Sequence, residues 1–262
     1  MESDDERFES AADPLTVYWQ PGCSSCLAVK EFLIRRGVPF VSVNVLGDAR
    51  GFDELASLGL RRVPIVRRGG AWADGQVLRD VARVAGIRFD APPLVPPAQL
   101  AAHADTILRC TLDLVAAIPE ERLDVLLPDR PRSYRHVAGH VFIIVVAFLD
   151  MVEHGTRAEH AVYEHDEPAG VATRAQLVAY GERVRQRCAD WWQRHGSATD
   201  FAAPADVYYG EPDVHEFFER TVWHAGQHAR QLQWGVERMG LAVHGALTAA
   251  DLAGLPLPDG VL

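Results

Sequence analysis

Basic residues are the minority charge in this 262-residue sequence, 26 against 36 acidic ones, for a net charge of −10. A groove that holds nucleic-acid phosphates needs the opposite balance, so nucleic acid is excluded as the main partner. Long hydrophobic runs are missing too. The longest, Val141–Leu149, has nine residues, against the roughly 20 needed to cross a bilayer. It reads as the buried middle of a bundle helix, and no membrane is expected. The opening Met1-Glu-Ser-Asp-Asp-Glu is acidic and has no apolar core, unlike a signal peptide. Four cysteines are too few for a disulfide framework, which points to a reducing cytoplasm.

What is present is an ordinary soluble composition, 48% apolar and 24% charged, in a chain long enough for one large domain or two ordinary ones. Residues 1–13 are acidic, poor in apolar groups and expected to be disordered. Leu15–Trp19 is a β-prone run that leads into Gln20-Pro-Gly-Cys-Ser-Ser-Cys26. A helix is expected over 27–36, a strand over 40–45, a helix over 51–58, a strand over 63–66 and a helix over 75–86. A βαβ start with C-x-x-C at the strand-to-helix turn reads as a thioredoxin-like redox motif. Cys23 at the helix start is the thiolate candidate, stabilised by free N–H groups and the helix dipole. Cys26, one turn inside, is the resolving thiol. The competing reading is half of a zinc site, but there is no second C-x-x-C, and Cys110 and Cys188 stand alone as small core residues.

Ala91–Pro97 holds four prolines in seven residues, a stiff connector at which a domain boundary is placed. Four helices are expected after it, over about 98–117, 133–153, 173–195 and 213–239. The second carries His136 and His140, and the last carries His224 and His228, each pair four residues apart. That spacing puts two imidazoles on one face of a helix, and two such helices in a bundle can build a three-histidine metal site. Phe217, Thr221, His224, His228 and Gln231 fall along one stripe of the last helix. The long 154–172 connection, with His154, His160 and His165, reads as a solvated charged loop.

Two resemblances cover nearly the whole chain after residue 13. Thr16-Val-Tyr, Cys23-Ser-Ser-Cys26 and Arg62-Val63-Pro64 make residues 14–88 resemble a glutaredoxin, with Val63-Pro64 at that family's cis-proline position. The resemblance implies that Val63 and Pro64 contact a thiol substrate, and that Gly75 matches one glycine of the later Gly-Gly-x-Asp stretch. The chain departs from the pattern at Gln20, where many glutaredoxins have lysine, and in lacking an acidic residue after Gly75. Both groups help hold glutathione, so mycothiol stands beside it as the candidate thiol. Ser133-x-x-x-Val137-x-x-His140-Val and His224-Ala-Gly-Gln-His228 make residues 99–258 resemble the DinB-like superfamily of four-helix bundles, which includes mycothiol-dependent maleylpyruvate isomerases and bacillithiol transferases. That resemblance implies His140, His224 and His228 as metal ligands, with His136 and Gln227 beside them.

The expected fold is an α/β thioredoxin-like domain followed by an all-α four-helix bundle. The expected divisions are a tail (1–13), a glutaredoxin-like domain (14–88), a proline-rich linker (89–98) and a metal-binding bundle (99–262). The expected cofactor is a divalent metal, zinc first, with nickel and iron also suited to imidazole. The expected activity is transfer or isomerisation, with a low-molecular-weight thiol as cosubstrate and its metal-bound thiolate as nucleophile toward an electrophilic or disulfide substrate. The alternative is a thiol–disulfide oxidoreductase whose bundle is a metal or ligand sensor or a dimerisation module. A homodimer is compatible with the sequence.

Overall fold

The structure, a computed structural model, describes residues 13–128, 130–164, 168 and 170–262. The expected disordered tail, apart from Asp13, lies outside the described residues, as does His165. Two compact units emerge, one of residues 13–20 and 29–90 and the other of residues 21–28 and 91–262.

Up to Asp90, β1 (Thr16–Trp19) is followed by α1 (Ser24–Arg35), β2 (Val41–Asn44), α2 (Ala49–Ser57), β3 (Ile65–Arg68), β4 (Ala71–Asp74) and α3 (Leu78–Ala85). The strands form one sheet in the order β2-β1-β3-β4. β1 pairs parallel with β2 and antiparallel with β3, and β3 pairs antiparallel with β4. Strand alternation sends Val17 to one face and Tyr18 to the other. Val17 joins Val29, Phe32 and Leu33 of α1 and Val81 and Ala82 of α3. Tyr18 joins Ile65, and Leu55 of α2, on the opposite face. This is a thioredoxin-like mixed sheet with helices on both faces.

β4 is absent from the sequence expectation. Its signal was Gly69-Gly70, a two-residue hairpin between Arg68 and Ala71, with Gly69 at φ 56°. The run Ala-Trp-Ala-Asp is too short and too weakly β-prone to declare itself without that turn. β3 also begins two residues later than expected, because Pro64 has no N–H to offer the sheet.

The second unit is mostly helical. Four long helices, α4 (Pro97–Ala117), α5 (Tyr134–His154), α7 (Arg174–His195) and α8 (Val214–Arg238), are joined by loops that include the short α6 (His160–Glu164). α5 packs against α8 and α7, and α4 packs against the same two, so the bundle runs α4, α7, α5, α8 around its core. The helix starts are fixed locally. Ser133 accepts from the His136 N–H, and both Thr173/Gln176 and Asp213/Glu216 form reciprocal capping boxes.

α5 is the one helix, among the described residues, long and apolar enough to cross a membrane, at a mean hydropathy of 1.7. Its apolar stretch is 78% buried inside the protein, which is how a central bundle helix behaves. The proline-rich segment is anchored rather than loose. Val95 N–H donates to Glu219 (2.7 Å), and the Val95 carbonyl lies 2.8 Å from His215 Nε2, both on α8.

Candidate metal centre

α5 and α8 are neighbours, and their facing sides carry the histidines. Ser133 sets where α5 starts, which places His140 in its second turn. Asp213 does the same for α8, and the four-residue step stacks His224 and His228 on one face. The result is a cluster in which one nitrogen from each of His140, His224 and His228 lies within 4.8 Å of the other two. His224 Nε2 and His228 Nε2 are 3.2 Å apart. Tetrahedral zinc with Zn–N near 2.0–2.1 Å spaces its ligand atoms by about 3.3 Å, so this pair already has the separation that two ligands require. The ring centroids of His140 lie 5.6 Å from His224 and 4.7 Å from His228.

All three side chains are buried. His140 Nδ1 and His224 Nδ1 are enclosed with no hydrogen-bond partner among the described residues, a cost that native interiors seldom carry without return. Burial pushes the three imidazoles well below their ordinary pKa; the guanidiniums of Arg130 and Arg132 push all three in the same direction, and that of Arg220 pushes His140 and His224. The rings are thus held neutral, which is the ligating form. Three neutral nitrogens converging in a dry pocket fit a divalent ion and leave it a coordination position to spare.

Around this cluster the other expected residues separate. His136, one turn before His140, is buried with its ring centroid 6.1 Å from that of His140, and stands outside the three-nitrogen cluster. Gln227 turns away from the histidines. Its amide donates to the carbonyls of Gly260 (2.9 Å) and Val261 (2.8 Å), because a residue adjacent to His228 sits about 100° round the helix. The residue that does touch His228 is Gln231, whose Oε1 lies 2.8 Å from His228 Nδ1. It belongs to the expected stripe, and its three-residue spacing from His228 was the available signal.

Arg220 had no comparable signal. Its guanidinium lies 4.5 Å over the Tyr209 ring and 5.6 Å from the Tyr163 ring, one turn before His224. Burial pushes the Tyr163 hydroxyl up to about 12, so it stays protonated. Of the 154–172 histidines, His160 packs its ring on Tyr208 at 5.0 Å, outside the cluster.

At the start of α1, Cys23 and Cys26 form a disulfide, with Cα atoms 5.2 Å apart. The Cys26 N–H points at Cys23 Sγ (3.1 Å), the contact a cap side chain makes with the third residue of a helix. When the pair is reduced, that N–H favours Cys23 as thiolate. The Val63-Pro64 bond is cis, and Gly75 N–H donates to the Pro64 carbonyl at 2.9 Å. A Cβ on Gly75 would come 2.7 Å from the Pro64 ring, so glycine lets this loop close against the cis-proline. Asp74, not foreseen, is paired with Arg62 at 2.8 Å and accepts from the Gln76 N–H, which ties the two loops together. Cys110 and Cys188 are buried in the second unit, their thiols pushed up by burial to about 11 and about 12, and are inert core residues.

Comparison with known proteins agrees with this division. Residues 15–72 match the glutaredoxin family, and residues 103–232 match the DinB superfamily. A curated relative, the Gene 56 protein of Mycobacterium phage L5, is 37% identical over 54 residues, which is 20% of this chain and 52% of that protein. The chain thus spans about half the length of that relative. The two domain matches support a thiol-related function and place the buried histidines in a metal-binding superfamily. The chain carries a glutaredoxin domain followed by a DinB superfamily domain.

Proposed function

We propose that the protein is a metal-dependent enzyme that uses a low-molecular-weight thiol, by transfer or by thiol-assisted isomerisation, and that its glutaredoxin domain handles disulfides of the same thiol. The observation that carries this reading is the convergence of His140, His224 and His228 in a buried cluster. These three would hold the ion, with zinc the first candidate and nickel and iron also suited to imidazole. A divalent metal there supplies a Lewis acid that keeps a bound thiol ionised at neutral pH, ready to attack an electrophilic carbon.

The chain's own residues do the rest. Burial excludes water from the cluster and keeps the histidines unprotonated. Arg130 and Arg132 supply a positive field acting on all three rings, and Arg220 adds to it at His140 and His224. In a dry site that field favours an anionic cosubstrate, either a thiolate or a thiol that also carries carboxylate groups. In the glutaredoxin domain Cys23 attacks a mixed disulfide. That attack breaks the substrate S–S bond, bonds one half to Cys23 and releases the other as a thiolate. Cys26 then attacks Cys23 Sγ and releases the second half, leaving the Cys23–Cys26 disulfide and both halves of the substrate reduced. Tethering two domains that share a small thiol would raise its local supply.

The test offers mycothiol or glutathione together with a bimane electrophile to the full chain, with and without metal. Conjugation is expected only with metal, and is lost in His228→Ala. Cys23→Ser should abolish disulfide reduction and leave metal-dependent conjugation in place. Equal conjugation with and without metal would reject the metal-dependent reading. No conjugation with either thiol, while disulfide reduction persists, would reject the transferase reading.

A further inference from the structure

Gln231 does more than touch a histidine. Its Oε1 receives the His228 Nδ1 contact at 2.8 Å and a hydrogen bond from Arg130 Nη1, while its Nε2 donates to the Val261 carbonyl at 2.9 Å. Arginine can only donate and a backbone carbonyl can only accept. The amide therefore has one orientation that satisfies all its neighbours, with oxygen toward His228 and nitrogen toward Val261. An oxygen at that position requires the proton on His228 Nδ1, which leaves the Nε2 lone pair facing His224 Nε2 at 3.2 Å. Gln231 is 1% exposed, so water does not offer an alternative partner.

The carbonyl that orients Gln231 is itself held in place. Gln227 donates to Gly260 and Val261, and Arg230 donates to Pro258 (2.9 Å) and Asp259 (3.1 Å). Arg230 also donates to Gln227 Oε1 (2.7 Å), so two side chains of α8 grip four successive residues of the segment as one unit.

We propose that the Pro258–Val261 segment is a working part of the metal centre. It acts through Gln231, a positioning residue that fixes His228 in the tautomer whose Nε2 can ligate. This rests on the three-histidine reading above. The coupling runs through hydrogen bonds alone: segment carbonyl to amide, amide to ring, ring to ion. Loosening the segment removes one of the two contacts that orient the amide, leaving Arg130 alone to keep its oxygen toward His228, and so weakens the hold on the ligating tautomer.

The experiment titrates Zn2+ against a competing chelator in the full chain and in four variants, with 15N NMR of the histidine nitrogens in the metal-free proteins. His228→Ala should lose tight zinc binding. Gln231→Leu should weaken zinc by about 10- to 100-fold, the usual effect of removing a partner behind a ligating histidine. It should also shift His228 away from the Nδ1–H form. Gln231→Glu keeps an acceptor for Nδ1–H and should keep both the tautomer and the affinity. A chain shortened to end at Leu257 should weaken zinc in the same direction as Gln231→Leu, and Gln231→Glu in that shortened chain should restore it.

Parent-like affinity and an Nδ1–H tautomer in Gln231→Leu would overturn the positioning role. If that variant does not fold, parent-like affinity in the shortened chain overturns it instead. Tight zinc retained in His228→Ala would mark a different failure, that of the three-histidine site itself.

Discussion

His140, His224 and His228 are bases whose protonated forms the fold penalises, first by burial and then by neighbouring cations. In the unfolded chain they titrate near 6.5, and in the folded chain well below it. Below about pH 6.5 the unfolded state therefore binds more protons than the folded state, and folding stability falls as pH falls. With three such groups the slope for metal-free protein approaches about 4 kcal/mol per pH unit at its steepest. Urea unfolding of metal-free protein at pH 7.5, 6.5 and 5.5 should show this loss, and His224→Gln, which removes one titrating group, should show a shallower one. Equal slopes in the two proteins would contradict the neutral buried cluster. Metal binding should fall over the same acid range, since protons compete for the same nitrogens.

At this scale the sequence was informative where spacing alone carries the message. His224 and His228 four apart, and Cys23 and Cys26 three apart, could be read from the letters. Gln231 could be placed on the stripe three residues from His228, but Arg220 could not be assigned, because an arginine declares no partner until the neighbouring elements are in place.

The elements are governed by packing as much as by periodicity. α7 crosses the bundle with Gly181 at its contact with α5 and α4. A Cβ there would lie 2.3 Å from Phe142 Cζ and 2.8 Å from Leu112 Cδ2. Phe142 is fully buried. Gly181→Ala gains up to about 1 kcal/mol in helix propensity but meets an overpacking cost of typically 1–3 kcal/mol. The expected outcome is a net loss of about 1 kcal/mol and a Tm lower by a few degrees, read by thermal unfolding. A higher Tm would mean that α5 and α7 are not packed as described.

The four long helices were legible to within one or two residues at their ends, because Ser133, Thr173 and Asp213 stop the chain where the apolar period begins. The misses are short elements whose stability comes from their neighbours. β4 depends on pairing with β3, and α6, in the loop read as solvated, places Tyr163 with its ring centroid 6.2 Å from that of His224.

For the molecule as a whole, the order of its two domains was readable from separate motifs that never overlap in the chain. The role of residues 258–261 was not. They meet α8 through their own carbonyls, and a backbone carbonyl has no signature in a sequence. A metal-dependent function requires that the histidine cluster hold an ion. The most direct measurement is elemental analysis of the purified full chain beside His140→Ala and His228→Ala. About one equivalent of zinc, nickel or iron in the parent, and little in either variant, is the predicted result. A folded parent that binds none of these metals on reconstitution, or variants that bind as much as the parent, would contradict it.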